Sequence, residues 1–161
     1  MEAWDKYLGD KKQITKFVPA SGAASRMFKD LFSFLSASYD VPETGFEKAF
    51  FENIEKFAFY DVLNNACLVD KGGDISTLVA KGQYKAVVAC LLEQEGLDYG
   101  ALPKGLLLFH RYPEEARTAM EEHLAEGAMY ARNAENKVTI HFTVSPEHLP
   151  LFKKLVEEKM P

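Results

Sequence analysis

One run of residues in this sequence has the composition of a phosphate-binding turn. The run is Val18-Pro19-Ala20-Ser21-Gly22-Ala23-Ala24-Ser25-Arg26-Met27. Small side chains such as Gly22, Ala23 and Ser25 would let backbone N–H groups approach a ligand closely, and a helix predicted after the run would direct its positive dipole end to the same place. Arg26 would add a planar, permanently charged guanidinium suited to phosphate oxygens. The run therefore predicts an anion site at Ser21–Arg26.

This prediction has a simpler competitor. The run lacks the Gly-Lys-Ser/Thr ending of a Walker turn, and it does not contain the G-x-G-x-x-G pattern of dinucleotide-binding turns. A tight turn that only packs a helix on a sheet would use the same small residues. Both interpretations stay open at the level of the residues.

Alternating strand and helix patterns surround this turn. Ile14–Val18 is β-prone, and apolar residues then recur at helical spacing from Met27 to Leu35. The middle of the chain predicts helices at 46–58, 60–69, 75–79 and 84–95, with Asp74 as a cap for the third. The last part predicts a short strand at 106–109, a helix from Pro113 to about Arg132 and a strand at 138–144. A last helix is predicted to start at Ser145-Pro146-Glu147 and to continue through Leu149.

Strands that alternate with helices favour an α/β fold with crossover connections. We expect one domain over residues 1–161, with a mostly parallel, Rossmann-like sheet flanked by helices. Residues 38–96 would form a helical insertion. Ligands of such sheets bind beyond the carboxyl ends of the strands, which is where Ser21–Arg26 would lie.

The amino-acid composition argues against some classes of binding partner. The net charge is −5, which argues against broad nucleic-acid binding because that requires a basic surface. No apolar run approaches the length of a membrane span, and the N-terminus lacks the apolar core of a signal peptide, so we expect a cytoplasmic protein that contacts neither nucleic acid nor membrane. Cys67 and Cys90 are too few for a disulfide scaffold and predict reduced, buried thiols.

The turn also resembles the signature loop of sugar-phosphate nucleotidyltransferases, which carry a Pro-Lys pair downstream that Pro103-Lys104 resembles. More closely, three segments resemble a bacterial family of unknown function, domain-of-unknown-function family 4301. They are Lys16–Lys29, Pro103–Leu106 and His141–His148. Members of that family are longer than this chain, so the resemblance implies that the chain is an internal piece.

The resemblance implies roles for individual residues. Gly22, Ala23, Ser25 and Arg26 would line the phosphates of a nucleoside triphosphate, and Lys104 would neutralise charge on the phosphates or on an incoming phosphorylated substrate. Arg26 and Lys104 would be the catalytic cations. Mg²⁺ would accompany the nucleotide, but the carboxylates that would bind it are not identifiable in the sequence.

Four histidines remain to be placed. His110 lies close to Lys104 in the sequence, so we consider it a possible substrate contact. His141 and His148 would occupy the last strand and the start of the last helix, where surface or capping roles compete with ligand contact. His123 and Glu126 are three apart in a predicted helix and indicate a solvated helix face rather than half of a metal site.

Three functions therefore compete. The first is a nucleotidyltransferase that acts on a phosphorylated substrate such as a sugar phosphate. The second is a nucleotide-binding module without transfer activity. The third is a structural or interaction domain, in which the aromatic helix Phe46–Phe57 packs against a partner.

Overall fold

The structure, a computed structural model, describes Lys6 and residues 14–159. Within these residues the strands are β1 (Thr15–Pro19), β2 (Leu108–Arg111), β3 (Ala116–Thr118) and β4 (Thr139–Thr143). The α-helices are α1 (Lys29–Ser36), α2 (Gly45–Glu52), α3 (Tyr60–Lys71), α4 (Ile75–Ala80), α5 (Tyr84–Leu92), α6 (Ala119–Tyr130) and α7 (Leu149–Lys159). The predicted mixture of strands and helices is confirmed. The N-terminal segment on which the signal-peptide prediction depends lies mostly outside the described residues.

A small parallel sheet joins the two ends of the described chain. β1 and β4 pair in parallel, with Thr15 opposite Thr139 and Pro19 opposite Thr143. Val18 on β1 belongs to a small core with the buried Met120 of α6 and Phe152 of α7. The other two strands pair antiparallel as a hairpin. In the part of the chain that the structure describes, the parallel sheet therefore has two strands.

The larger core lies among helices α1 to α5. Its fully buried side chains come from several of these helices and from the return segment before β2, and they include Leu31, Phe34, Leu63, Leu78, Val87, Val88, Leu91 and Leu107. Helix α5 packs against α1, α3 and α4. Burial on several sides explains why α5 is apolar around most of its circumference. The predicted helices over residues 60–95 are confirmed with small shifts of their ends.

Side-chain caps determine where two of these helices begin. Thr44 and Glu47 form a capping box at α2, since the Thr44 hydroxyl accepts from the Glu47 N–H and the Glu47 carboxylate accepts from the Thr44 N–H. At α4 the Asp74 carboxylate accepts from the Thr77 N–H at 2.7 Å. The predicted cap at Asp74 is confirmed.

The aromatic helix predicted at 46–58 is shorter than expected. Helix α2 ends at Glu52, and a single 3₁₀ turn follows at Ile54–Lys56. The Asn53 side chain donates to the carbonyl oxygen of Ala49 at 2.8 Å, and such a contact competes with continued helix formation. Along the aromatic stripe Phe50 is buried in the core, whereas Phe46 is 45% exposed.

The single helix predicted from Pro113 to Arg132 is wrong in its first part. Residues 112–115 form the turn of the β2–β3 hairpin, in which the Tyr112 N–H donates to the Glu115 carbonyl at 2.8 Å. Helix α6 begins only at Ala119, because Thr118 and Glu121 form a second capping box. The Pro-Glu-Glu sequence therefore belongs to a turn and not to a first helical turn.

None of the helices in the described ranges combines the length and the apolar character needed to cross a bilayer.

Candidate functional site

The carboxyl ends of β1 and β4 lie at one edge of the sheet, because the two strands run parallel. The chain leaves β1 through Ser21–Arg26 and leaves β4 through residues 144–148. The pairing continues one residue past β1, where the Ala20 N–H donates to the Thr143 carbonyl at 2.9 Å. The predicted turn therefore lies at the edge where ligands of parallel sheets bind.

A third segment, Leu102–Leu106, follows the helical block of α1 to α5 in the chain and reaches the same edge. The Lys104 N–H donates to the Gly22 carbonyl at 2.9 Å, and the Ala24 N–H donates to the Leu102 carbonyl at 3.3 Å. Ala23 faces Pro103 as an isolated antiparallel bridge. The backbones of the two predicted phosphate-binding segments thus lie side by side.

Gly105 allows this close approach. A Cβ atom at Gly105 would lie 3.0 Å from the ring of Phe152 and 3.6 Å from the Cβ of Ala20. The absence of a side chain lets residues 104–106 pack directly on β1 and α7. The Pro-Lys-Gly sequence is therefore positioned by its glycine.

The turn after β1 retains unpaired backbone donors. Among the described residues, the N–H groups of Gly22, Ser25 and Arg26 have no protein hydrogen-bond acceptor, whereas the Met27 N–H donates to the Ala24 carbonyl at 2.8 Å. Helix α1 starts at Lys29 and has no side-chain cap. Free N–H groups of this kind are the donors that anion sites use.

The cations at this edge are also unpaired. Arg26 and Lys104 are exposed, and neither side chain has an ion-pair or hydrogen-bond partner in the described part of the chain. Other cations do have partners: Lys85 lies 3.3 Å from Asp40, and Lys159 lies 3.0 Å from Glu121. The positive charge of Arg26 and Lys104 is thus not neutralised by a neighbouring carboxylate.

The side chains of Arg26 and Lys104 do not line the same cavity. Ser25 and Arg26 line an open depression along α1 together with Lys29, Phe32, Ser33 and Ser36, and Lys104 is not part of this lining. The hydroxyls of Ser33 and Ser36 donate to carbonyl oxygens of their own helix. Donors left for an anion in the depression are the Arg26 guanidinium, the Lys29 ammonium and the Ser25 hydroxyl.

Lys29 was missed by the sequence reasoning. The signal was present, because residues 25, 29, 33 and 36 follow each other at intervals of three and four and carry polar side chains. Among the residues that the structure describes, no carboxylate lines this depression. Its charge is therefore positive, although the whole chain is acidic.

His110 lies in a different cluster, on the β2–β3 hairpin. Its Nδ1 is 3.3 Å from the carboxylate of Glu122 on α6. The interaction of the Tyr112 hydroxyl with the same carboxylate raises the pKa of Tyr112. The Arg117 guanidinium lies 4.7 Å from the centre of the Tyr112 ring. His110 does not line the depression at Arg26.

The other histidines make local contacts. His148 Nδ1 lies 2.7 Å from the Ser145 hydroxyl at the start of α7, and the two residues are also joined by a backbone hydrogen bond. His123 Nδ1 lies 3.4 Å from Glu126, which also pairs with Lys16. His141 is exposed on β4, opposite Phe17.

Metal ligands stay unidentified. Over Lys6 and residues 14–159, no three side chains of His, Cys, Asp or Glu come together as a candidate metal site. Mg²⁺ that enters with a nucleotide usually takes only one or two protein carboxylates, with the phosphates and water as its other ligands.

Comparison with known proteins gives a family without a recorded activity. Neither the curated proteins nor the solved structures include one that matches this chain. A family model described as a domain of unknown function, DUF4301, matches residues 1–161, and the chain therefore belongs to that family.

Proposed function

We propose that this protein binds the phosphate groups of a small phosphorylated ligand, in the first instance a nucleotide, at the carboxyl edge of the β1–β4 pair. The observation that carries the proposal is the hydrogen bond from the Lys104 N–H to the Gly22 carbonyl. It holds two segments side by side that are distant in the chain, and each of them brings an unpaired cation.

The free N–H groups of the turn and the charges of Arg26 and Lys104 would act on the same ligand from two sides. A terminal phosphate against Gly22 and Ser25 would receive backbone hydrogen bonds, which need no further ordering of the protein. Arg26 suits two oxygens of one phosphate, whereas Lys104 is a point charge that suits a neighbouring phosphate. Lys29 would extend the positive surface along α1.

Nucleotidyl transfer is the catalytic form of this proposal. A phosphate oxygen of the second substrate would form a bond to the α-phosphorus of the nucleoside triphosphate, while the bond to the bridging oxygen of the β-phosphate breaks and pyrophosphate leaves. Arg26 and Lys104 would stabilise the negative charge that moves onto the leaving group. Mg²⁺ bound with the nucleotide would share that charge.

The same proposal includes a larger, Rossmann-like sheet in a longer protein. Parallel strands usually lie in sheets that are covered on both faces. Phe17 on β1 is 64% exposed, which supports further structure over that face. We expect a chain extended by its natural flanking sequence to melt at a higher temperature than residues 1–161 and to shield Phe17 from solvent.

Binding is tested by thermal unfolding with ATP, GTP, CTP, UTP and pyrophosphate, each with and without Mg²⁺. A ligand that binds only the folded state raises its stability by mass action. We expect an upward shift with at least one nucleotide, and we expect Arg26→Ala and Lys104→Ala each to reduce the shift. Arg132→Ala and Lys48→Ala are matched controls, because both residues are exposed and lie outside the site.

The absence of any shift in folded protein would overturn the proposal. An equal loss of the nucleotide-induced thermal shift in the control variants would show that the nucleotide is held only by nonspecific charge attraction. Transfer is tested separately, as pyrophosphate release from the bound nucleotide in the presence of a panel of sugar phosphates. Binding without pyrophosphate release would identify a nucleotide-binding module without transfer activity.

A further inference from the structure

A second cavity lies on the other side of α1 from the Arg26 depression. It has a volume of about 470 Å³, within the usual range for small-molecule sites, and it lies between α1, α2 and the start of β2. Half of its lining residues are aromatic, among them Phe28, Phe50, Phe59 and Tyr99. In the part of the chain that the structure describes, no charged side chain lines it.

The mouth of this cavity is apolar as well. Met27, Phe46 and Phe109 line the cavity and are each more than two-fifths exposed, at 42%, 45% and 44%. An open space with such walls offers water few hydrogen-bond partners. The cavity therefore favours a ligand with an apolar body.

One polar side chain that lines the cavity is hydrogen-bonded to a cation. Asn53 lines the cavity, and its Oδ1 accepts a hydrogen bond from the Lys56 ammonium at 2.7 Å. Lys56 is exposed and makes no ion pair with any described residue. The Asn53 amide nitrogen donates to the Ala49 carbonyl and keeps a second N–H for a ligand. This rim can hold one anionic head group.

The second polar group is already paired. The Tyr99 hydroxyl accepts from the Leu108 N–H at 3.3 Å. A nucleobase needs several donors and acceptors along its edge, and the described lining residues do not supply them. The ligand of this cavity differs in chemistry from the nucleotide proposed above, and the inference does not rest on that proposal.

We propose that the cavity binds a small amphipathic carboxylic acid, with its hydrocarbon body between the aromatic rings and its carboxylate at Asn53 and Lys56. The apolar walls would supply most of the affinity, and the cation at the rim would select the ionised acid over a neutral molecule of the same length.

The test uses decanoate and decanol as probes, with binding to the 161-residue protein followed by titration calorimetry. Ala49 lines the cavity from α2, so Ala49→Phe would fill it, and we expect at least a tenfold loss of affinity for both probes. Lys56→Gln should weaken decanoate severalfold and leave decanol unchanged. Lys48→Gln is the control, because Lys48 is an exposed lysine of α2 outside the lining.

Circular dichroism checks that each variant folds, and Ala58→Leu replaces Ala49→Phe if the latter does not. Unchanged binding in the filled variant would overturn the proposal, as would an equal loss of decanol in Lys56→Gln. A wild-type dimer that the filled variant abolishes would identify a second copy of the chain as the occupant. Binding to phospholipid vesicles but not to free decanoate would identify a membrane surface instead.

Discussion

The main-chain N–H of Lys104 donates to the carbonyl oxygen of Gly22, although helices α1 to α5 all lie between these two residues in the chain. The helical block thus leaves the β1–β4 edge at one point and returns beside it. The two connections of the block to this edge run next to each other, with Ala23 opposite Pro103. The proposed phosphate site therefore depends on the folding of the block, even though Lys29 is the only one of its three cations that the block supplies.

Two glycines at this edge are expected to respond differently to the same substitution. Gly105→Ala would bring a Cβ to 3.0 Å from the packed ring of Phe152, and overpacking of this kind costs about 1–3 kcal/mol. Gly22→Ala meets nothing within 4 Å among the described residues, so it should leave the free energy of unfolding nearly unchanged. Urea unfolding of both variants measures the difference. Equal losses would show that Gly105 does not position the segment.

Gly22→Ala has a second use, because it separates folding from binding. A methyl group beside the free N–H groups would keep a phosphate at a distance, so nucleotide-induced thermal shifts should shrink while the melting temperature of the free protein stays the same. A variant that keeps the full shift would indicate that the ligand does not approach the turn at Gly22.

The turn after β1 was predictable because its chemistry is local. Small residues from Ala20 to Ser25, between a β-prone run and a helical pattern, indicate a strand, a turn and a helix, and these are confirmed. The start of α6 was predictable in principle from the Thr118-x-x-Glu121 box. The Pro113-Glu114-Glu115 sequence resembles an earlier helix start. It led to the wrong prediction because the hairpin contact between β2 and β3 is not visible in a local pattern.

Contacts across elements could not be predicted in the same way. The pairing of His110 with Glu122 depends on the position of the hairpin on α6, and the pairing of Gly22 with Lys104 depends on the path of the whole helical block. A single sequence specifies such contacts only through the packing of its cores. Lys104 was identified as a candidate site residue through the resemblance to known loops, because a lysine by itself does not indicate a site.

Gly96 is expected to be the glycine least tolerant of substitution among those described. A Cβ at Gly96 would lie 1.9 Å from the carbonyl oxygen of Cys90, so the backbone itself would have to move. That carbonyl accepts from the Leu97 N–H at 2.8 Å and helps to end α5. Gly96→Ala should cost more than about 2 kcal/mol. Gly45→Ala is the matched control, because no described atom lies within 4 Å of its added Cβ. Thermal melts of the pair would reveal a similar loss if the steric argument is wrong.

The capping box of α6 is expected to contribute stability that depends on pH. Burial alone would raise the pKa of Glu121, but hydrogen bonds from the Thr118 N–H and the Lys159 ammonium outweigh it and lower this pKa. A pKa that is lower in the folded state stabilises the folded protein at pH values above the unfolded pKa of about 4.3. This stability is lost as the pH falls through the folded pKa. Glu121→Gln should therefore flatten the loss of stability on acidification.

The hydroxyl of the same box is tested at neutral pH. The Thr118 hydroxyl accepts from the Glu121 N–H and donates to the Glu121 carboxylate at 2.8 Å. Thr118→Ala removes both contacts and should cost about 1 kcal/mol, while Thr118→Ser keeps the hydroxyl and should retain most of the stability. Identical denaturation midpoints for the two variants would show that the methyl group, and not the cap, matters.

The two cysteines are expected to react only when the protein opens. Cys67 and Cys90 are both buried as free thiols, and burial raises the pKa of Cys90 to about 12. Burial also raises the pKa of Cys67. Because the thiolate is the reactive form, a disulfide reagent at pH 8 should label neither thiol rapidly in native protein and both at once in urea. The destabilised Gly105→Ala variant should be labelled faster than Gly22→Ala. Rapid native labelling of one thiol would show that α3 and α5 open locally without global unfolding.

The raised pKa of Cys90 also makes the free energy of unfolding depend on pH. The stability that comes from burying the neutral thiol is complete below the unfolded thiol pKa of about 8.5 and is lost as the pH rises towards 12. The free energy of unfolding should therefore fall across that range.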